Sequence, residues 1–120
     1  MLRQGEGPVK APRKVRMVSI RVMRLGGFLG RLRGLLGRPA PEPGTGAWLT
    51  PCRQVHTIGM TYSIDVLHLD PVHRILAIQT LGPWRLGRWV WDASGVLEMR
   101  AGEADRLGLR PGEAVTLIEE

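Results

Sequence analysis

Reactive side chains concentrate in one stretch, Cys52-Arg53-Gln54-Val55-His56-Thr57-Ile58-Gly59-Met60, with Asp65 shortly beyond it. A thiolate and an imidazole four positions apart suit Zn²⁺, and a tetrahedral structural site would need two further ligands. His68, His73 and the carboxylates are the remaining candidates, because the chain has one cysteine and shows no H-x₃-H or HExxH spacing. The paired-ligand signature of a metal site is missing, so neither metal nor cofactor is expected. A Cys–His nucleophilic pair is the second chemistry: His56 as base for Cys52, with Asp65 orienting the imidazole, would make a hydrolase-type enzyme. Cys52 lies between Pro51 and Arg53 in a loop, with no helix N-terminus to lower its pKa, and a lone cysteine is more often a small buried hydrophobe. No catalytic residue is expected from this pattern.

Period-two alternation in Ile64-Asp65-Val66-Leu67-His68-Leu69-Asp70 places Asp65 with Leu67 and Leu69 on one strand face, and His68 with Ile64 and Val66 on the other. A carboxylate on an apolar face must be paired or hydrogen-bonded. Capping a turn, or pairing with Arg53 or Arg85, would meet that need. Pro83-Trp84-Arg85, followed by Trp89 and Trp91, interleaves aromatic and cationic side chains. Such a segment can stack on bases or sugars, or can cover one end of a small core. No GxGxxG, GxxxxGK[ST] or G-x-S-x-G pattern occurs. The candidate binding site is therefore Asp65, His56, Thr57, Met60, Trp84, Arg85 and Cys52.

The elements that must position these residues are mostly short strands. Val18, Ile20 and Val22 alternate with Ser19 and Arg21 and predict a first strand. Phe28, Leu32, Leu35 and Leu36 fall at helical spacing and predict a short amphipathic helix ending at Gly37, followed by a Pro-rich loop over 39–46. Strands are predicted over 47–50, 55–58, 64–70, 73–81, 90–91, 96–99 and 114–118, with a tight turn at Pro71-Val72 and a second short helix over 101–107. Many short strands with two short helices define a mainly β class, at the margin of α+β: a small barrel or a rolled antiparallel sheet.

With 120 residues the chain is expected to form a single domain over 17–120, preceded by a disordered basic tail over 1–16. Charge is unevenly placed: residues 1–38 hold ten Lys/Arg and one acid (+9), and residues 39–120 hold seven Arg and ten acids (−3), giving +6. The basic N-terminal third is thus the segment that would meet nucleic acid or an anionic membrane. No apolar run approaches the roughly 20 residues of a transmembrane helix, and Arg21 and Arg24 interrupt the one stretch resembling a signal peptide. A cytoplasmic location is expected. Of the 17 basic residues 15 are Arg and Asn is absent, a bias compatible with a thermophilic source.

Several segments together resemble the domain-of-unknown-function family 192. They are Arg31-Leu32-Arg33-Gly34-Leu35-Leu36-Gly37-Arg38, Val55-His56-Thr57-x-Gly59-Met60, Ile64-Asp65-Val66, Pro83-Trp84-Arg85, Val96-Leu97-Glu98 and Leu109-x-Pro111-Gly112-Glu113. The resemblance runs from about residue 17 to 120. It implies a compact, mainly β domain with a couple of helices, found in bacteria and archaea, and no established activity. It also implies that His73 stands where the family has a turn glycine, that Asp65 falls on a recurring Asp, and that no catalytic Cys or His is shared by the family. The function expected is a non-enzymatic domain binding a small molecule or a protein.

Overall fold

The computed structural model describes residues 17–26, 30 and 34–119. Six strands form one mixed sheet: β1 (Val18–Leu25), β2 (Thr45–Leu49), β3 (Ile64–Leu69), β4 (Ile75–Leu81), β5 (Gly95–Arg100) and β6 (Val115–Glu119), with one short helix among the described residues, α1 (Glu103–Arg106). Their order across the sheet is β4-β3-β5-β2-β1-β6. The mainly β class is as expected. The pairings of β5 with β2 and β3, and of β3 with β4, are antiparallel, whereas β1 runs parallel to both β2 and β6. Parallel neighbours need long connections, and the stretch from Gly26 to Gly44 supplies one for β1 and β2. The sheet is rolled but not closed: a single bridge, Arg74 to Ala114, brings the starts of the edge strands β4 and β6 together.

β3 is buried along its whole length because both faces of the sheet are covered. On the first face Ile20, Val22, Trp48, Leu67, Leu69, Leu97 and Met99 pack under Ala104 and Leu109. On the second, Ala47, Leu49, Ile64, Val66, Leu81 and Val96 pack under Leu35, Val55 and Met60. A Cβ at Gly95 would collide with the Trp48 indole, so glycine there lets the ring cross β5. His73 also meets that indole edge-on, with centroids 5.3 Å apart.

Two predicted strands are absent. Residues 55–58 contribute only an isolated bridge, His56 to Leu86, and residues 90–91 lie in a loop. Burial alternates from Val55 to Thr57, but the turn from Thr57 to Met60, with Gly59 at φ 87°, leaves no room for a ladder. The Pro-rich loop also ends earlier than expected, since Thr45 and Gly46 already belong to β2. Over 34–37 the predicted amphipathic helix is a turn, and residues 28–29 and 31–33 of it, with the whole predicted tail, fall outside the described residues.

The hairpin between β3 and β4 turns where expected. Asp70 Oδ1 accepts from the backbone N–H of Val72 (3.0 Å) and of Arg74 (2.8 Å), and His73 takes φ 64°. That left-handed backbone is the position where the family resemblance implied a glycine.

Candidate functional site

The alternation in β3 places Asp65 and His68 on opposite faces, and their environments differ accordingly. Asp65 is buried on the first face. Its Oδ1 accepts from Thr80 Oγ1 (2.8 Å), and its Oδ2 from the backbone N–H of Gly102 (3.1 Å) and Ala104 (2.9 Å). The N-cap of α1 is Gly102, which has no side chain to offer, so Asp65 supplies the capping oxygen from the sheet. This is the hydrogen-bonded arrangement that a carboxylate on an apolar face requires.

Thr57 organises the loops over the second face. It is fully buried. Its hydroxyl donates to the Gly82 carbonyl and accepts from Arg85 N–H (2.8 Å). Its own N–H donates to the Arg85 carbonyl (2.8 Å), and its carbonyl accepts from Trp84 N–H (2.9 Å) and Met60 N–H (3.0 Å). Further along, Gly87 N–H donates to the Val55 carbonyl and Val90 N–H to the Arg53 carbonyl, while Arg53 Nε donates to the Trp91 carbonyl. Residues 53–58 and 84–91 therefore run side by side as an irregular antiparallel pair.

This pairing brings His56, Thr57, Trp84 and Arg85 together. Met60 lies beneath them in the core, and Cys52 is half-buried at the other end of the pair, its thiol donating to the Gln54 carbonyl (3.3 Å). Asp65 is not part of the group, because its side chain points to the opposite face of the sheet. His56 Nδ1 accepts from Ile58 N–H (3.1 Å). Cys52, His56 and Asp65 are thus held in three separate hydrogen-bonding environments.

The outward side of the paired segments is apolar and cationic. Trp84 (65% exposed), Leu86 (67%) and Trp91 (75%) project into solvent with Ile58 and Trp89, and Trp89 packs edge-on against Trp91 at 5.1 Å. Arg53, Arg85 and Arg88 are exposed among them, the pair itself carries no acid, and Asp92 follows directly after it. Trp84 holds φ 59°, a conformation that bulky side chains rarely adopt.

Two buried polar groups stand apart from this surface. His68 Nε2 lies 3.0 Å from the Arg53 carbonyl, and Nδ1 has no hydrogen-bond partner. Burial, more than any other influence, holds its pKa below the ordinary imidazole value. Glu98, 2% exposed, is pushed up to about 7 by burial, and its Oε1 is likewise unpartnered among the described residues. A Cβ at Gly34 would sit 3.3 Å from that oxygen, so glycine allows the 34–38 segment to lie directly on the carboxyl. Sequence alternation placed His68 on the Ile64 and Val66 face, but Glu98 was concealed, and each sits at an ordinary alternating strand position. Their only signal was a charged or polar residue on a face otherwise made of Ile, Val and Leu.

A six-stranded mixed sheet with covered faces, a single-helix cap and one exposed aromatic–cationic loop pair defines a small mainly β domain. The chain belongs to the DUF192 family, described as "Uncharacterized ACR, COG1430", whose model matches residues 11–117. Two solved structures share the fold. One is a protein of unknown function from Novosphingobium aromaticivorans DSM 12444, at 20% identity and TM-score 0.72, covering 79% of this chain and 73% of that one. The other is a putative transcription regulator from Sinorhizobium meliloti 1021, at 22% identity and TM-score 0.68, covering 78% of each chain. No functionally curated protein matches the chain.

Proposed function

We propose that this is a non-enzymatic binding domain whose working surface is the outward side of the 53–58 and 84–91 pair, and whose partner is a protein with an acidic, partly apolar face. The observation that carries this reading is Trp84, which is left-handed, anchored on both sides by Thr57, and turned into solvent. A non-glycine residue in that conformation costs on the order of 1–3 kcal/mol, and exposure of the indole returns none of it. Such strain is retained where it sets up a contact made outside the folded chain. Trp and Arg are also the residue types that dominate protein–protein hot spots. Ile58 and Leu86 are exposed but offer neither a ring for a base to stack on nor a charge for a phosphate, which favours a protein over nucleic acid. Arg53, Arg85 and Arg88 supply complementarity to acidic residues. A single cysteine and the lack, among the described residues, of any helix long and apolar enough to cross a membrane are compatible with the cytoplasmic setting we propose for it.

The test places a photo-crosslinking residue at Leu86 in the full-length protein, with and without Trp84→Ser, in lysate of the source organism treated with nuclease. A crosslinked protein lost in the Trp84→Ser form, with unchanged circular dichroism, is the expected result. Crosslinking to nucleic acid, or to a protein indifferent to Trp84→Ser, would overturn the reading.

A further inference from the structure

A separate cavity of about 590 Å³ opens on the second face of the sheet, between β1–β2 and the segment from Leu35 to Glu42. Its size lies within the range of small-molecule sites. Odd-numbered positions of the two parallel strands, Met23 and Ala47 among them, form its floor, and Leu35, Pro39 and Pro41 form its wall. The lining is mostly apolar, with Arg38, Arg21, Thr45 and one carboxylate, Glu42, as its polar members.

The guanidinium of Arg38 is in an unusual state for a structural arginine. Its Nε is buried and has no hydrogen-bond partner among the described residues. Among the described residues its Nη1 reaches the Met23 sulfur, at 3.9 Å, a weak acceptor. Elsewhere among the described residues Arg24 and Arg106 are held by carboxylates, at 2.6 Å in each case. The backbone at Arg38 is fixed by two contacts: its N–H donates to the Leu35 carbonyl, and its carbonyl accepts from Tyr62 Oη (2.9 Å). The cation is therefore pre-positioned, with Nε unpartnered among the described residues, Nη1 on a weak acceptor, and a mostly apolar chamber beside it.

We propose that this cavity is a binding site for a small organic carboxylate, with the anionic head on Arg38 and the apolar body against Met23, Leu35 and Ala47. A carboxylate presents two oxygens to a guanidinium and satisfies the donors that the protein leaves open. An apolar body is what the floor and wall can shelter from water.

Octanoate is a suitable probe, with octanol and octylammonium as controls, each titrated into the full-length protein by isothermal calorimetry. Octanoate is expected to bind about ten-fold or more tightly than either control, and Arg38→Met to remove that preference, because a charge-assisted pair is worth roughly 1.5–3 kcal/mol. Ala40→Leu, which narrows the chamber without touching the cation, is expected to weaken octanoate binding while circular dichroism stays unchanged. It also decides the matter if Arg38→Met fails to fold. Trp84→Ser is expected to leave octanoate binding intact. Equal affinity for octanoate and octanol, or octanoate binding indifferent to both Arg38→Met and Ala40→Leu, would overturn the proposal.

Discussion

Asp65 joins three pieces of chain through one carboxylate: β3 that carries it, Thr80 on β4, and the start of α1. Asp65→Ala would leave the Gly102 and Ala104 amides without their acceptor, and is expected to cost about 3 kcal/mol in denaturant unfolding. Asp65→Asn, which keeps an acceptor oxygen, is expected to cost less. Binding at Trp84 should survive either change if the protein is folded, since Asp65 faces the other side of the sheet. Glu98 gives a pH signature. Its folded value of about 7 lies above the ordinary glutamate value, so the native state retains a proton that the unfolded chain has released. Stability from this group is complete below pH ~4.5 and is lost as pH rises toward 7, by roughly 3 kcal/mol in all. His68 has the opposite sign: its folded value is lowered, so its contribution is present above about pH 6.5 and is lost as pH falls. Glu98→Gln is therefore expected to convert the profile to one that only rises with pH between 5 and 8, as followed by urea midpoints. A falling limb that persists in Glu98→Gln would assign it to another group.

At the level of elements, the strands whose apolar residues alternate cleanly were legible in the sequence, and so was the turn at 70–74. The two faces of β3 follow from period two alone. The parallel placement of β1 was not legible, because alternation fixes which side of a strand is buried but says nothing about its neighbours' direction. Nor was the role of Thr57: a threonine between His56 and Ile58 looks like a strand residue, and its burial is set by loop residues far away in sequence. Thr57→Val keeps the shape and removes the hydroxyl, leaving Arg85 N–H without that acceptor. It is expected to lower stability by about 1–3 kcal/mol and to loosen Trp84, read as faster amide exchange at 84–86. Gly95→Ala tests the packing of Trp48 across β5; overpacking there is expected to cost about 1–3 kcal/mol and to shift the Trp48 fluorescence.

For the molecule as a whole, the sheet separates duties by face. The first face is closed by α1 and the segment after it, and its buried polar groups, Asp65 and Glu103, are both hydrogen-bonded. The second face holds the unpartnered atoms of His68, Glu98 and Arg38, and both surfaces proposed to bind lie on that side. Composition pointed to the basic N-terminal third as the electrostatic partner surface, yet the fold commits part of that charge: Arg24 is engaged by Glu119 on β6, and Arg21 lies within a strand flanked on both sides. The sequence could show how much charge was there but not how much of it the sheet had already used.

The position of β1 between β2 and β6 has a consequence for synthesis. On the ribosome β1 emerges first of the described strands, and its second neighbour emerges last, so one hydrogen-bonding edge of β1 stays open while nearly all of the domain is made. Until β6 arrives, Ile20 and Val22 border an unpaired strand edge of the kind that recruits other chains. Nascent chains arrested before Val115 should therefore be cut readily by protease and be prone to associate, and release of the final strand should end both behaviours together.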